Sequence, residues 1–265
     1  MLLTSPVALT FRRFDSPRDR WWALRQMPRA ARLLADVPHL KFARLLGSGG
    51  GNGFTLRPDW STYALLTAWD TPQDVKRFED EHPFCALLNE HAAERWTVLL
   101  QPTKARGAWG GRQPFDPPPV DLRKDQTGPL AVLTRATVRA RKLPSFWRHV
   151  PEVASALPRR ADGLLFSKGV GEQPLWQQAT FTMWESREAM VDYAYRSETH
   201  LRVMRKARQE GWYREELFAE FVPVATYGTW PDAPELSSLP HGPTGAQKSP
   251  PALVRRRASG MVANG

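Results

Sequence analysis

The feature that most constrains the fold is a pattern of elements that occurs twice. Residues 7–14 (VALTFRRF) read as a strand, and Ser16 and Pro17 open an amphipathic helix through Trp22, Leu24, Met27 and Leu33. Residues 40–46 (LKFARLL) and 61–69 (STYALLTAW) read as strands around a glycine-rich loop; a helix over 72–93 and the strand 96–101 (WTVLLQ) follow. The order βαββαβ then recurs: a strand over 129–138, a helix over 144–156, strands over 163–170 and 176–184, a helix over 187–209 and the strand 217–221. Trp69 and Trp184, 115 residues apart, each end a strand before a long helix, and Trp96 and Trp212, 116 apart, each begin a final strand. Two matches at nearly one spacing predict an internal duplication.

Each half is then a split βαβ unit of ferredoxin-like type. Two such units packed sheet to sheet give the α+β barrel that smaller chains make by dimerising. The expected class is therefore α+β, with tandem ferredoxin-like repeats over 7–101 and 129–230 forming a barrel of the dimeric α+β type. Residues 102–128, rich in proline and glycine, are expected as a linker, and 231–265 as a disordered, basic, proline-rich tail.

The net charge of +10 points to an acidic partner: nucleic acid, an anionic membrane surface or an acidic protein. The tail carries a net +2, so most of the excess sits in the body. The single cysteine, Cys85, excludes an intramolecular disulfide and any multi-cysteine metal site within this chain. No apolar run approaches the ~20 residues of a membrane helix. The start, MLLTSPVALTFRRF, lacks the layout of a secretory leader, so a cytoplasmic setting is expected.

Over 187–209, at about 100° per residue, Met190, Tyr193, Ser197, Leu201, Met204 and Ala207 share one face, and His200 lies within that stripe. Ser186 is placed to cap this helix and Gly211 to stop it. Two readings of His200 stay open. It is either a core histidine hydrogen-bonded to a neighbour, or an axial ligand to haem iron. The same spacing puts Phe84 or Cys85 at the matching place in the first half, so a single prosthetic group would belong to the second. The other five histidines read as structural or solvent-facing. The loop GSGGGNG (47–53) is followed by a strand and lacks a Lys-Ser/Thr pair, which argues for a wide hairpin rather than a phosphate cradle. An RNA-binding sheet is disfavoured because its aromatic strand motif is missing, so no nucleic-acid partner is expected. Glu215 and Glu216 alternate across a strand, which separates their carboxylates.

Long segments in one order then carry a resemblance. FRRFDS, WALRQM, GSGGGNGFTLRPDW, WTVLLQPTKARGAWGGRQPF, PLAVLTRATV, FSKGVGEQPLWQQATFTMW and HLRVMRKARQEGWYREELFAEF resemble the spheroidene monooxygenase family, also called acyclic carotenoid 2-ketolases, to about Trp230. The resemblance implies a haem-containing monooxygenase that uses dioxygen and reduced ferredoxin to oxidise the C-2 methylene of an acyclic carotenoid, first to an alcohol and then to a ketone. It implies His200 as the iron ligand, with Tyr193 and Met204 lining an apolar haem slot beside Phe181 and Met183. Arg135, Lys168 and Gln178, on strands of the second repeat, are the candidate polar groups near the haem. The basic surface implies docking of an acidic ferredoxin and peripheral contact with the inner membrane. Two alternatives stand beside this reading: a haem-free α+β-barrel monooxygenase acting on a quinone-like or aromatic substrate, and a basic module binding RNA or lipid.

Overall fold

The computed structural model describes residues 4–50, 57–118, 128–156, 161–173, 175–196, 198–231, 233–234 and 236; the side chains of 150–156, 196 and 198–200 lie outside that description. The chain is of mixed α and β class. Its elements run β1 (Val7–Arg13), α1 (Pro17–Leu33), β2 (Leu40–Gly49), β3 (Pro58–Trp69), α2 (Pro72–Glu81), α3 (Pro83–His91) and β4 (Glu94–Gly107). The second half follows with β5 (Leu130–Val138), α4 (Leu143–Ala156), β6 (Leu164–Gln173), β7 (Gln177–Trp184), α5 (Arg187–Arg196), α6 (Glu198–Glu210) and β8 (Tyr213–Gly228).

Local signals explain most boundaries. The Ser16 hydroxyl accepts the Asp19 amide at 3.0 Å at the start of α1, and Thr71 and Asp74 form a reciprocal capping box on α2. The helix expected over 72–93 is two helices, because Pro83 disfavours helical backbone at His82, which instead caps α3 through Nδ1. The stretch 187–209 is likewise two helices, α5 and α6.

The strands close into one barrel in the order β1-β3-β2-β6-β7-β5-β8-β4, with every pairing antiparallel. Its interior is filled by apolar side chains from both halves, including Leu9, Phe11, Phe42, Trp96, Phe181 and Phe221. These side chains make the barrel interior one hydrophobic core.

The linker expectation is corrected. Residues 102–107 continue β4 and pair with β8, and the chain beyond turns inward so that Trp109 and Phe115 are buried in the barrel. Prolines tolerated at a bulge hid a strand there: the register shifts between Pro102 and Lys104. Residues 119–127 lie outside the described residues, as does nearly all of the expected tail, although Ala233 and Leu236 pack against the barrel core.

The halves join along a long β4–β8 ladder and a short β2–β6 seam, where Gly47 faces Gly171 and Ser48 faces Val170. Near that seam Lys168 Nζ reaches Asp59 Oδ2 at 3.0 Å. Burial pushes the Asp59 carboxyl up, but hydrogen bonds from Ser61 and the Lys168 charge outweigh it and hold the group at about 2. A folded pKa below the unfolded value gives stability that is full above pH ~4 and lost as pH falls through about 2. Asp59→Asn is therefore expected to unfold more easily than the parent at pH 6, by about 1–2 kcal/mol. Denaturant titrations across pH check this, and the two curves should converge near pH 2.

Candidate functional site

The strand registers align the halves residue by residue. Val7 faces Ala68 and Ala131 faces Met183, each partner standing just before the tryptophan that ends its strand. On this alignment Trp69 matches Trp184. Trp96 matches Leu217 rather than Trp212, since Phe11 faces Trp96 where Arg135 faces Leu217. Trp96 lies inside the barrel, whereas Trp212 precedes β8 and packs under α4 and α6. The second of the two tryptophan matches was thus coincidental.

The same alignment exposes an asymmetry in the two helix layers. In the first half, Leu45 and Leu65 face each other across β2 and β3 and join one continuous cluster with α1, α2 and α3. In the second half, the matching cross-strand pair is Gly169 and Thr180. Beside it, Arg12 paired with Tyr63 in the first half becomes Ala136 paired with Gln178 in the second. Four bulky side chains are replaced by smaller ones at the centre of one face.

The packing follows from those exchanges. Among the described residues the helix-side core of the second half forms two separate clusters. One gathers Val138, Phe146, Val203, Ala207 and Trp212; the other gathers Leu130, Val132 and Trp184 with Tyr193 and Met190. On the sheet between them the described residues include Thr134, Ala136, Gly169, Gln178 and Thr180, with Phe218 of β8 beside Thr134. While α1 lies close against β2 and β3, α4 leans mainly on α6. The centre of this sheet face thus carries small or polar side chains where the first half carries bulky ones.

The expected site residues divide across this sheet. Gln178 is on the helix side, buried, with Nε2 donating to the Gln173 carbonyl at 3.4 Å. Tyr193 is also on that side, 5.3 Å from Trp184, and burial pushes its hydroxyl up to about 12. Arg135 and Lys168 are on the other side, facing the barrel, because their partners Ala179 and Phe181 are barrel residues. Phe181 and Met183 also point into the barrel and cannot line a helix-side slot. Met204 is 39% exposed, whereas Val203 and Ala207 are the buried residues of α6. Ala207, on the inward stripe by the continuous count, is buried, while one position along the helix Val203 takes the inward place expected for Met204. His200 is the third residue of α6, and its side chain lies outside the described residues.

Arg135 instead anchors a network at one barrel mouth. It pairs with Glu215, reaches Glu172 at 3.5 Å and stands 5.2 Å over the Trp109 ring. Trp109 Nε1 donates to Glu172 at 2.8 Å, Arg44 pairs with Glu172 at 2.8 Å, and the amides of Gly110 and Gly111 donate to Glu215. Each carboxylate is fully engaged, which reads as structural closure of the mouth. A cavity of about 560 Å³ is lined by this same network, with Gln177 and Arg214 beside it.

Comparison with known proteins decides the family. The chain is 38% identical over 234 residues to the spheroidene monooxygenase of Rhodobacter capsulatus, an alignment covering 88% of this chain and 96% of that protein. The chain belongs to the spheroidene monooxygenase family. The Cereibacter sphaeroides member is 36% identical over 93% of this chain and 75% of its own length, and the Rubrivivax gelatinosus member 31% over 81% of each. No protein-family model matches. Among solved structures, aldoxime dehydratase in complex with butyraldoxime superposes with a TM-score of 0.54 over 84% of this chain and 80% of that one, at 12% identity, a likeness of fold. As its family members are monooxygenases by name, this chain is an oxidoreductase of the monooxygenase type.

Proposed function

We propose that the trimmed helix layer of the second half holds haem, with His200 on α6 as the iron ligand, and that the chain oxidises the C-2 methylene of an acyclic carotenoid with dioxygen and electrons from reduced ferredoxin. One observation carries this reading. In the first half Arg12 on β1 reaches α3, where its Nε donates to Asn89 Oδ1 at 2.9 Å, and Cys85, the third residue of that helix, is buried. The matching residues of the second half are His200, third on α6, and Ala136 on β5. A guanidinium that bridges helix to sheet in one half is a methyl group in the other, and the third residue of the helix changes from cysteine to histidine. The halves themselves we read as two copies of one ferredoxin-like unit, the first kept as packed support.

Bound haem supplies dioxygen activation that no side chain here provides. The protein's part is positioning and exclusion of water. The Gln178 amide and the Thr134 and Thr180 hydroxyls are the hydrogen-bond donors offered by the floor, while the Phe146–Trp212 and Trp184–Tyr193 clusters close its ends. The long polyene is read to lie along the same floor, beside the Trp184–Tyr193 cluster. Each oxidation inserts one oxygen atom into a C–H bond at C-2 and reduces the other to water with two electrons from ferredoxin and two protons; the second insertion gives a geminal diol that loses water to leave the ketone. Incubating the chain with spheroidene, reduced ferredoxin and ¹⁸O₂ is expected to give a ketone whose label derives from the gas. Unlabelled product, or none from a chain saturated with haem, contradicts the reading.

A further inference from the structure

We propose that the end of the second half where the β6–β7 turn meets the start of α4 docks onto an anionic lipid bilayer. Leu175 and Trp176 are adjacent in that turn and 48% and 40% exposed. Their exposure is fixed by the fold. The Val138 amide donates to the Trp176 carbonyl at 2.8 Å, and Trp147 Nε1 donates to the Leu175 carbonyl at 2.9 Å. Two large apolar side chains are therefore held outward by bonds from the strand and helix behind them.

Cations surround this tip. Arg139, Arg141 and Arg148 are exposed and Lys142 half-buried, all on the connection to α4 or its first turns. Arg139 is placed by its own Nε bond to the Gly211 carbonyl at 3.1 Å, which brings the turn after α6, with exposed Arg208 and Arg214, to the same end. Arg141, Lys142 and Arg148 form no ion pair among the described residues. The acids nearby are largely engaged: Glu210 accepts from Trp212, Ser145 and Lys206, and Glu215 and Glu172 serve Arg135. Glu216 stays exposed.

A Leu-Trp tip inside a ring of unpaired cations matches the layering of a bilayer surface. Tryptophan favours the headgroup boundary, leucine the acyl edge just below, and guanidinium groups the phosphates. A protein partner of stable affinity needs about 800 Å² on each side, more than a hairpin tip presents. Among the described residues no helix is long and apolar enough to cross a membrane, so this contact is peripheral. Trp176 stands two residues before Gln178 on the strand that floors the gap, giving an apolar substrate a short path from bilayer to site. That route rests on the function proposed above, whereas the docking itself does not.

Flotation of the full chain with phosphatidylglycerol-containing vesicles, against pure phosphatidylcholine vesicles, tests the proposal without reference to haem or activity. The chain is expected to float with the anionic vesicles and to be released by high salt. Leu175→Ser with Trp176→Ser should lower the bound fraction at least about ten-fold, and Arg141→Ala with Arg148→Ala about five-fold for each cation lost. Trp60→Ser, at a residue 53% exposed on the first half, is the control for exposed tryptophan in general and should change nothing. Far-ultraviolet circular dichroism confirms that each variant is folded. A chain that stays unbound, that binds neutral vesicles equally well, or that loses binding with Trp60→Ser while keeping it in the tip variants overturns the proposal. So does retention on immobilised acidic ferredoxin through Arg141 and Arg148 with no vesicle binding, which would assign the face to a protein.

Discussion

His200→Ala is expected to emerge from purification with haem content reduced at least about ten-fold, the order of loss that follows even from disturbing a ligand's supporting shell. The Soret band should vanish with it, and added imidazole should restore part of it by entering the space the side chain leaves. His149→Ala serves as the control, since His149 Nδ1 bonds the Ser145 carbonyl within α4 and its ring lies against Trp212. That variant should keep its haem. A complementary change acts on the floor instead of the ligand. Gly169→Leu with Thr180→Leu rebuilds, in the second half, the Leu45–Leu65 pair that fills the first. It is expected to fold, because the same pair is packed in the same register one repeat earlier, and to exclude haem while retaining His200. A double-leucine protein with full haem would place the group elsewhere, and full haem in His200→Ala would remove the ligand assignment.

Arg135→Ala is expected to cost about 3–5 kcal/mol, the usual result of removing one member of a buried ion pair. The residue is only 4% exposed, and in the first half Phe11 fills the matching barrel position. Loss of the guanidinium leaves Glu215 and Glu172 inside the mouth with one cation, Arg44, between them. Burial already pushes the Glu215 carboxyl up; the Gly111 and Gly110 amides and the Arg135 charge now outweigh it and keep it low. Without Arg135 its pKa should rise, so the variant's deficit should be larger at pH 7 than at pH 4, where protonation relieves the unpaired charge. At about 2–4 °C per kcal/mol for a chain of this size, thermal unfolding near neutral pH should fall by about 10 °C. Arg214→Ala, at an exposed arginine next to Glu215 on β8, should stay within about 0.5 kcal/mol of the parent. A comparable loss in Arg214→Ala, or none in Arg135→Ala, would remove the mouth network from the account.

Much of the fold was legible in the sequence because strands and helices announce themselves by period and cap. The order βαββαβ, the Ser16 and Thr71 starts and the Trp69–Trp184 match all rest on local signals. What escaped depends on contacts between distant residues. The 102–107 strand reads as linker because its prolines are explained only by the β8 ladder opposite. Trp96 and Trp212 are equally spaced yet occupy opposite sides of the sheet, which only register reveals. Arg135, Lys168 and Gln178 look alike as polar residues on strands, but one step of parity sends the first two into the barrel and the third toward the helices. The most informative feature of the site is a set of absences: Gly169, Thr180 and Ala136 gain meaning only beside Leu45, Leu65 and Arg12. That comparison needs the strands paired before the halves can be superimposed.

Haem over the Gly169–Thr180 floor is the proposal on which the rest depends. The measurement that tests it most directly is the absorption spectrum of the purified chain, oxidised and dithionite-reduced, with a pyridine extract to count haem. The account predicts a Soret band and close to one haem per chain. A colourless chain that still oxidises its substrate with dioxygen, after expression with a haem precursor, would contradict it.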